Sequence, residues 1–152
     1  MMVRVFVYGT LQPGERFHRP YCGDRVQVLG PALAPGRLYH LPRLNYPAMT
    51  QEPGWVMGVI LGFDGPQAFV KLDQLEGFIG DRPPSDNEYN RLEIEVFDPQ
   101  SPQRSLGEVW TYYMSRQRVD NYGGIWLPEG VWHENQLSQR SQRSQQRRAA
   151  PN

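Results

Sequence analysis

Glu76 is the residue whose sequence context best suits it to acid–base chemistry. On a helical wheel of about 100° per residue, Glu76 falls within an apolar arc formed by Ala68, Phe69, Leu72 and Leu75. A carboxylate on that arc is directed toward the core, where burial and the negative end of the helix dipole both raise its pKa. Such a group can act as a general base near neutral pH. The pattern equally fits a glutamate that reaches solvent or pairs with an arginine.

A second candidate is the four-residue segment that ends the first apolar run: Tyr8, Gly9, Thr10 and Leu11. The run over residues 3–8 alternates as a strand does, and Gly9 breaks it just before a turn sequence. Because glycine permits positive φ and close approach of the backbone, the amides after Gly9 can converge on one oxygen atom. The turn is not a phosphate loop, since no Gly-Lys-Ser/Thr follows and Pro13 lacks an amide hydrogen.

Short strands and one main helix are the elements predicted to position these groups. Apolar runs and alternation predict strands over residues 3–8, 26–29, 37–41, 55–63, 89–97 and 106–114. The second and third pieces are joined by a bend. A helix is predicted over Pro66 to Leu75, ending at Gly77, and a short one over residues 115–122. The predicted order is β, β, β, α, β, β and an irregular C-terminal extension.

Two loops are predicted beside these elements. Residues 44–49 are interpreted as irregular, because Pro47 pushes Tyr46 out of the helical region. Residues 79–88 are polar and follow Glu76 closely. Loops of this kind act as mobile flaps beside a site or as solvated connections, and the sequence is compatible with both.

Three segments together resemble the γ-glutamylcyclotransferase-like family, which includes γ-glutamylamine cyclotransferases and plant AIG2-like proteins. They are Tyr8-Gly9-Thr10-Leu11, Leu72-Asp73-Gln74-Leu75-Glu76-Gly77-Phe78 and Glu88-Tyr89-Asn90-Arg91. The resemblance covers about residues 3 to 115, in the family's order. It implies an α/β (α+β) fold with few helices, built as a small mixed β-barrel or a strongly curved sheet.

The resemblance also implies roles for particular residues. Glu76 matches the catalytic glutamate of the family. The substrate-binding residues implied by its motifs are Tyr8, Gly9, Thr10, Leu11, Tyr46, Tyr89 and Tyr112. Arg91 completes the family's Tyr-x-Arg pair, although a structural ion pair explains Arg91 equally well. Strand alternation sets Tyr89 and Arg91 opposite Leu92 and Ile94, so their face reaches a pocket only through a bulge or barrel geometry.

The implied reaction is cleavage of a small-molecule γ-glutamyl amide by intramolecular aminolysis, which yields 5-oxoproline and a free amine. Glu76 is the implied general acid and base, and neither a metal nor a cofactor is implied. His18, His40 and His133 are too scattered to predict a metal site. A non-catalytic module that binds an amine or amino acid on the same scaffold is the alternative, with Glu76 as its clamp.

Composition and charge predict how the chain is organised and which kinds of partner it binds. Residues 1–137 are predicted to be one domain, and the Arg-, Gln- and Ser-rich residues 138–152 a disordered tail. The first 137 residues carry twelve basic and sixteen acidic side chains, a formal charge of −4, which does not indicate a nucleic-acid-binding face. A tail that tethers the domain to RNA or anionic surfaces is a third interpretation.

Location is predicted from the same composition. Cys22 is the single cysteine of the sequence, so no internal disulfide can form. The N-terminal apolar run is short and contains Arg4, unlike a secretory signal, and no run approaches the roughly 20 apolar residues of a membrane helix. The expected location is the cytoplasm.

Overall fold

The computed structural model describes residues 2–19 and 26–133 of the 152-residue chain. The predicted tail and Cys22 lie outside these residues. The strands within them are β1 Val3–Val7, β2 Gln27–Leu41, β3 Tyr46–Phe63, β4 Asn90–Asp98, β5 Ser101–Tyr113 and β6 Ile125–Trp126. The α-helices are α1 Ala68–Glu76 and α2 Arg116–Asn121, and a 3-10 turn spans Pro84–Asp86.

The strands form one mixed sheet that curves back on itself. Its order is β3-β1-β5-β4-β2-β6, and β3 pairs with β2 as well as with β1. The β1–β5 pair is parallel, while the other pairs are antiparallel. The predicted fold class, a strongly curved mixed sheet with few helices, is therefore confirmed.

The two longest strands differ from the sequence-based prediction. β2 is one bent strand, with register shifts against β3 between Val28 and Gly30 and between Pro35 and Arg37. Gly30 and Gly36 have φ of 137° and 156°, which glycine alone adopts without strain.

The predicted irregular loop over residues 44–49 is wrong, because Tyr46–Phe63 is one continuous strand. Leu41 pairs with Tyr46 and His40 with Pro47, across a turn in which Asn45 has φ 56°. The extended conformation that Pro47 imposes on Tyr46 is itself a strand conformation. A residue that excludes helix was thus mistaken for one that excludes a strand.

Two apolar cores lie on opposite faces of the sheet. In β1, Val3, Val5 and Val7 belong to the first core, whereas Phe6 belongs to the second. The first core also contains Leu72 of α1, and we call it the helix-side core. Because both faces of the central strands are covered, a side chain facing away from one core still faces the other.

Helix α1 packs on the helix-side core and delivers Glu76 to its edge. Leu72 is buried there, and Ala68, Phe69 and Leu75 pack around it. Gly77 ends the helix with φ 64°, as predicted from the Leu-Glu-Gly sequence. The amides of Glu88 and Tyr89 donate to the carbonyls of Gly77 and Glu76, at 3.2 and 3.1 Å. The end of α1 is therefore fixed against the start of β4.

The C-terminal part of the described chain packs across β2. Ser115 caps α2, as its hydroxyl accepts a hydrogen bond from the Arg118 amide. Trp132 is buried, and its Nε1 donates to His40 Nδ1 at 3.1 Å. Within the described residues, no helix is long and apolar enough to cross a membrane.

Candidate functional site

One cavity, here called the Glu76 cavity, brings all the predicted site residues together. The eight residues predicted from the sequence line it: Tyr8, Gly9, Thr10, Leu11, Tyr46, Glu76, Tyr89 and Tyr112. Phe6, Val7 and Pro47 complete the wall. They come from the end of β1 and the turn after it, the start of β3, the end of α1, the residue just before β4, and β5. Their roles toward a substrate stay predictions.

The four tyrosines of the wall have their hydroxyl groups engaged by the protein. Tyr8 and Tyr89 donate to the carbonyls of Tyr112 and Pro47, at 2.5 and 2.7 Å. Tyr46 donates to Glu88 Oε1 at 2.9 Å, and Tyr112 to Asp73 Oδ1 at 2.6 Å. Burial raises the pKa of all four hydroxyls above the ordinary tyrosine value. The four tyrosine side chains are therefore fixed in position and stay protonated, so none is a proton acceptor near neutral pH.

Glu76 is different, because its carboxylate has no protein partner within the described residues. The residue as a whole is partly exposed, but its carboxyl group is enclosed by the cavity wall. Burial raises the pKa of Glu76 to about 8, and the negative charges of Glu88 and Asp73 act in the same direction. The alternative that Glu76 pairs with an arginine is wrong for the arginines among residues 2–19 and 26–133. A carboxyl with this pKa can exchange a proton near neutral pH.

The raised pKa of Glu76 predicts how stability depends on pH. The unfolded carboxyl titrates near 4.5 and the folded one near 8, so between these values the folded state binds more protons. The Glu76 contribution to the free energy of unfolding therefore decreases as pH rises from about 5 to about 8. Thermal unfolding at several pH values should show this decrease in the wild type and a weaker one in Glu76→Gln. Parallel curves for the two proteins would contradict the enclosed carboxyl.

The turn after β1 presents amides that form no hydrogen bond with the described backbone. The carbonyls of Gly9 and Thr10 accept from the amides of Gln12 and Phe17, at 3.0 and 2.8 Å. The amides of Gly9, Thr10 and Leu11 donate to no backbone carbonyl of residues 2–19 or 26–133. Consecutive free amides at the wall of a cavity can bind a carboxylate or an oxyanion.

Gly9 is required by space and not by backbone conformation. Its φ lies outside the left-handed region, so of the two properties of glycine named from the sequence, the close approach of the backbone is the one that this position uses. A Cβ at this position would lie 2.6 Å from Pro47 Cγ and 2.8 Å from its Cδ. The absence of a side chain lets the turn approach the start of β3, where Gly9 and Pro47 both line the Glu76 cavity.

Arg91 does not line the cavity, whereas Tyr89 does. Arg91 Nη1 lies 2.9 Å and 3.1 Å from the two carboxylate oxygens of Asp73, and its guanidinium stacks 3.8 Å from the Phe69 ring. The structural ion pair is therefore the interpretation that the structure supports. Asp73 also accepts from Tyr112, so the pair holds a wall residue in place.

No bulge is needed to turn Tyr89 inward. The register of β4 with β5 is regular from Asn90 to Val96. Tyr89 belongs to the helix-side core, and Leu92, Ile94 and Val96 to the opposite one. The alternation predicted for this strand was correct. Both faces of β4 are covered because the helix-side core packs on one and the opposite core on the other.

Glu88 does not line the cavity, but it accepts a hydrogen bond from the lining residue Tyr46, a contact that sequence analysis did not identify. Its Oε1 accepts from Tyr46 at 2.9 Å and from Tyr122 at 3.2 Å. These partners lie 42 and 34 residues away in sequence, so no local pattern marks the group. Among the described residues, no group of three or more His, Cys, Asp or Glu side chains is arranged to hold a metal ion.

The loop between α1 and β4 is closed at its base and exposed at its tip. The buried Asn87 side chain accepts from the Ile79 amide at 3.0 Å and donates to the Ile79 carbonyl at 3.2 Å. Gly80, Asp81 and residues 83–86 are exposed. The base is thus held by hydrogen bonds, and the tip is exposed to solvent.

The flap hypothesis for this loop predicts a change in hydrogen exchange. In Glu76→Gln, which should hold a γ-glutamyl amide without converting it, ligand should slow exchange across residues 80–87. The strands of the opposite core serve as the internal control, since their exchange should stay constant. Unchanged exchange in the loop at saturating ligand would identify it as an inert connection.

Known proteins resemble this chain in sequence and in fold. The family model for gamma-glutamyl cyclotransferase, AIG2-like, matches residues 5–134. A comparison with curated proteins finds none that matches. An AIG2-like protein from Mus musculus has a TM-score of 0.64 at 22% identity, over 87% of this chain and 88% of that one.

Two further solved structures share the fold. YkqA from Bacillus subtilis has a TM-score of 0.63 at 22% identity, over 93% of this chain. The match covers only 43% of YkqA, so this chain spans less than half of that protein. A structure named gamma-glutamyl cyclotransferase has a TM-score of 0.55 at 16% identity, over 75% of this chain and 67% of that one. Because the family model extends over most of the sequence, this chain belongs to the gamma-glutamyl cyclotransferase, AIG2-like family.

Proposed function

We propose that this chain is an enzyme that cleaves a γ-glutamyl amide by intramolecular aminolysis, releasing 5-oxoproline and a free amine. The observation that carries the proposal is the Glu76 carboxyl, enclosed and unpartnered among the described residues, with a pKa of about 8. It lines the same cavity as the turn with free amides. Membership of the family supports the class of reaction.

The reaction needs one proton acceptor and a rigid cavity that holds the substrate in a folded conformation. The Glu76 carboxylate removes a proton from the substrate's α-ammonium group, and the freed amine attacks the γ-carbonyl carbon. A new C–N bond forms, and the carbonyl oxygen takes the negative charge. The attacking nitrogen then gives up a second proton. Both protons reach the leaving nitrogen, one of them through Glu76, and the old C–N bond breaks as the amine departs.

The remaining residues contribute geometry and electrostatics. Nucleophile and electrophile belong to one molecule, so binding it folded in a near-attack conformation supplies much of the rate. The engaged tyrosines make the wall rigid enough for this. Amides of Gly9 to Leu11 bind the substrate's α-carboxylate or the developing oxyanion.

The pKa of Glu76 suits this role once substrate is bound. In the free protein, burial keeps much of the carboxyl protonated at neutral pH. A bound α-ammonium group beside it favours the ionised form and lowers its pKa. The substrate's α-ammonium group thus favours the ionised Glu76 carboxylate, which is the base that then removes its proton.

The test is detection of 5-oxoproline from a panel of γ-glutamyl amines and γ-glutamyl amino acids. The matched control is each substrate with its α-amine acetylated, which cannot form the ring. The proposal predicts 5-oxoproline from free-amine substrates alone. Saturable binding with no product from any panel member would instead identify a non-catalytic binding module.

A further inference from the structure

A second cavity, here called the Arg118 groove, lies between α2, the loop from α1 to β4 and the adjoining parts of β4 and β5. Its volume is about 590 Å³, within the range of about 300 to 1,000 Å³ that is typical of small-molecule sites. The described residues that line it include none of those that line the Glu76 cavity. The groove is defined by Gln51, Ser85, Asn90, Tyr113, Gln117 and Arg118.

The floor and one wall of the Arg118 groove are held in place by the protein. Tyr113 and Met114 are buried and form an apolar floor. On the loop side, the Asn90 side chain donates to the Pro84 carbonyl at 3.0 Å and accepts from the Asn87 side chain at 2.9 Å. These bonds join the loop to the start of β4. A ligand therefore meets a groove that is already formed, and little ordering opposes its binding.

Arg118 crosses the groove from α2 to the loop and brings an uncompensated positive charge. It is partly buried, and its Nη2 donates to the Ser85 carbonyl at 2.9 Å. Among residues 2–19 and 26–133, Arg118 forms no ion pair, whereas Arg116 pairs with Glu52 and Asp120. None of the described lining residues is acidic. The Nε and Nη1 atoms of Arg118 are thus left to bind an anion, and their planar arrangement suits a carboxylate.

Three carboxamide side chains surround this cation. Gln117 and Asn121 are four residues apart on α2, so they share a face of the helix with Arg118. Gln51 lines the groove from β3. All three are exposed, and their carboxamides form no hydrogen bond with the described part of the chain. Since a carboxamide donates and accepts at once, it matches the amide group of a peptide.

We propose that the Arg118 groove is a second binding site, which takes a small peptide-like molecule by its terminal carboxylate. The carboxylate binds the free nitrogens of Arg118. The amide groups next to it pair with the carboxamides of Gln51, Gln117 and Asn121, and its apolar parts lie on Tyr113. The inference does not depend on the proposed function of the Glu76 cavity.

Titration of the isotope-labelled full chain, followed by nuclear magnetic resonance, tests the inference. The probe is N-acetyl-glycylglycine, which carries one carboxylate and two amides. The Nε–H signal of Arg118 and the side-chain amide signals of Gln51 and Gln117 should shift with a Kd of about 1 mM, as expected for so small a ligand. The backbone amides of residues 9–11 should stay unchanged, which shows that the Glu76 cavity is not the site.

The matched probe is N-acetyl-glycylglycinamide, in which an amide replaces the carboxylate. It should bind about tenfold more weakly, because the charge-assisted bonds to Arg118 are lost. Arg118→Gln should weaken binding of the carboxylate probe by about the same factor. Arg104→Gln is the control for charge, since Arg104 is exposed and does not line the groove, and it should keep the wild-type Kd.

Gln117→Met separates amide recognition from a structural effect of losing the bond between Arg118 and Ser85. This variant keeps the length of the side chain and leaves Arg118 in place. It should weaken binding of N-acetyl-glycylglycine by about fivefold, while binding of propionate, a carboxylate without amides, should not change.

Several results would overturn the second site. They are equal affinity for the carboxylate and amide probes, an unchanged Kd in Arg118→Gln, shifts confined to residues 9–11, or no shift with the probe at about twenty times the expected Kd. Inorganic phosphate is titrated in parallel. Shifts of the groove signals with phosphate alone would overturn the peptide-like ligand.

Discussion

Replacing Glu76 by glutamine will lower turnover by about 10²-fold or more while ligand affinity is retained. Glutamine keeps the size and shape of the side chain but cannot accept the α-ammonium proton. No other group of the cavity can take over, because the four tyrosines have raised pKa values and engaged hydroxyls. Turnover is measured by 5-oxoproline formation, and affinity by calorimetric titration of the variant with substrate.

Glu93→Gln provides the matched control for this experiment. Glu93 lies exposed on β4 and does not line the cavity, so its substitution removes one negative charge and should leave turnover unchanged. Wild-type turnover in a folded Glu76→Gln protein would exclude Glu76 as the base.

Replacing Gly9 by valine will lower kcat/KM by about 10²-fold, because a displacement of about 1 Å at a reacting geometry has effects of this size. A Cβ at residue 9 would lie 2.6 Å from Pro47 Cγ, so the turn and the start of β3 must move apart. Pro47 also accepts the Tyr89 hydroxyl bond, and its movement would disturb that wall. The readout is kcat/KM for 5-oxoproline formation, corrected for the folded fraction.

Gly65→Val is the control for the general effect of a bulky residue at a loop glycine. The three atoms nearest to a Cβ there all belong to the Gln67 side chain, which can rotate away. Its activity should match the wild type. Normal binding and turnover by a folded Gly9→Val protein would mean that the substrate-binding turn has been placed wrongly.

Elements defined by local sequence were predicted well. β1 follows from its apolar alternation, and α1 from its apolar arc and the glycine that ends it. The start of β3 was missed because pairing of Tyr46 with Leu41 and of Pro47 with His40 overrides the local proline signal. These partners lie only five and seven residues apart, so the missed element is a local hairpin that the proline signal concealed.

In the site, local motifs mark the lining residues but not the contacts between residues that are distant in sequence. Its lining residues could be predicted because they stand in motifs, and the structure places all eight around one cavity. The polar contacts that hold the wall could not, since Arg91 reaches Asp73 across 18 residues and Tyr46 reaches Glu88 across 42. Such contacts depend on how β3, β4 and α1 meet in space. The close approach expected at Gly9 is likewise made to a residue distant in sequence, Pro47, which no local pattern indicates.

The fate of the oxygen atoms tests intramolecular aminolysis most directly. The protein is incubated with a γ-glutamyl amine in water labelled with heavy oxygen, and the products are measured by mass spectrometry. Attack by the substrate's own amine predicts unlabelled 5-oxoproline in amounts equal to the released amine. Glutamate carrying the heavy oxygen would show attack by water, and would contradict the account.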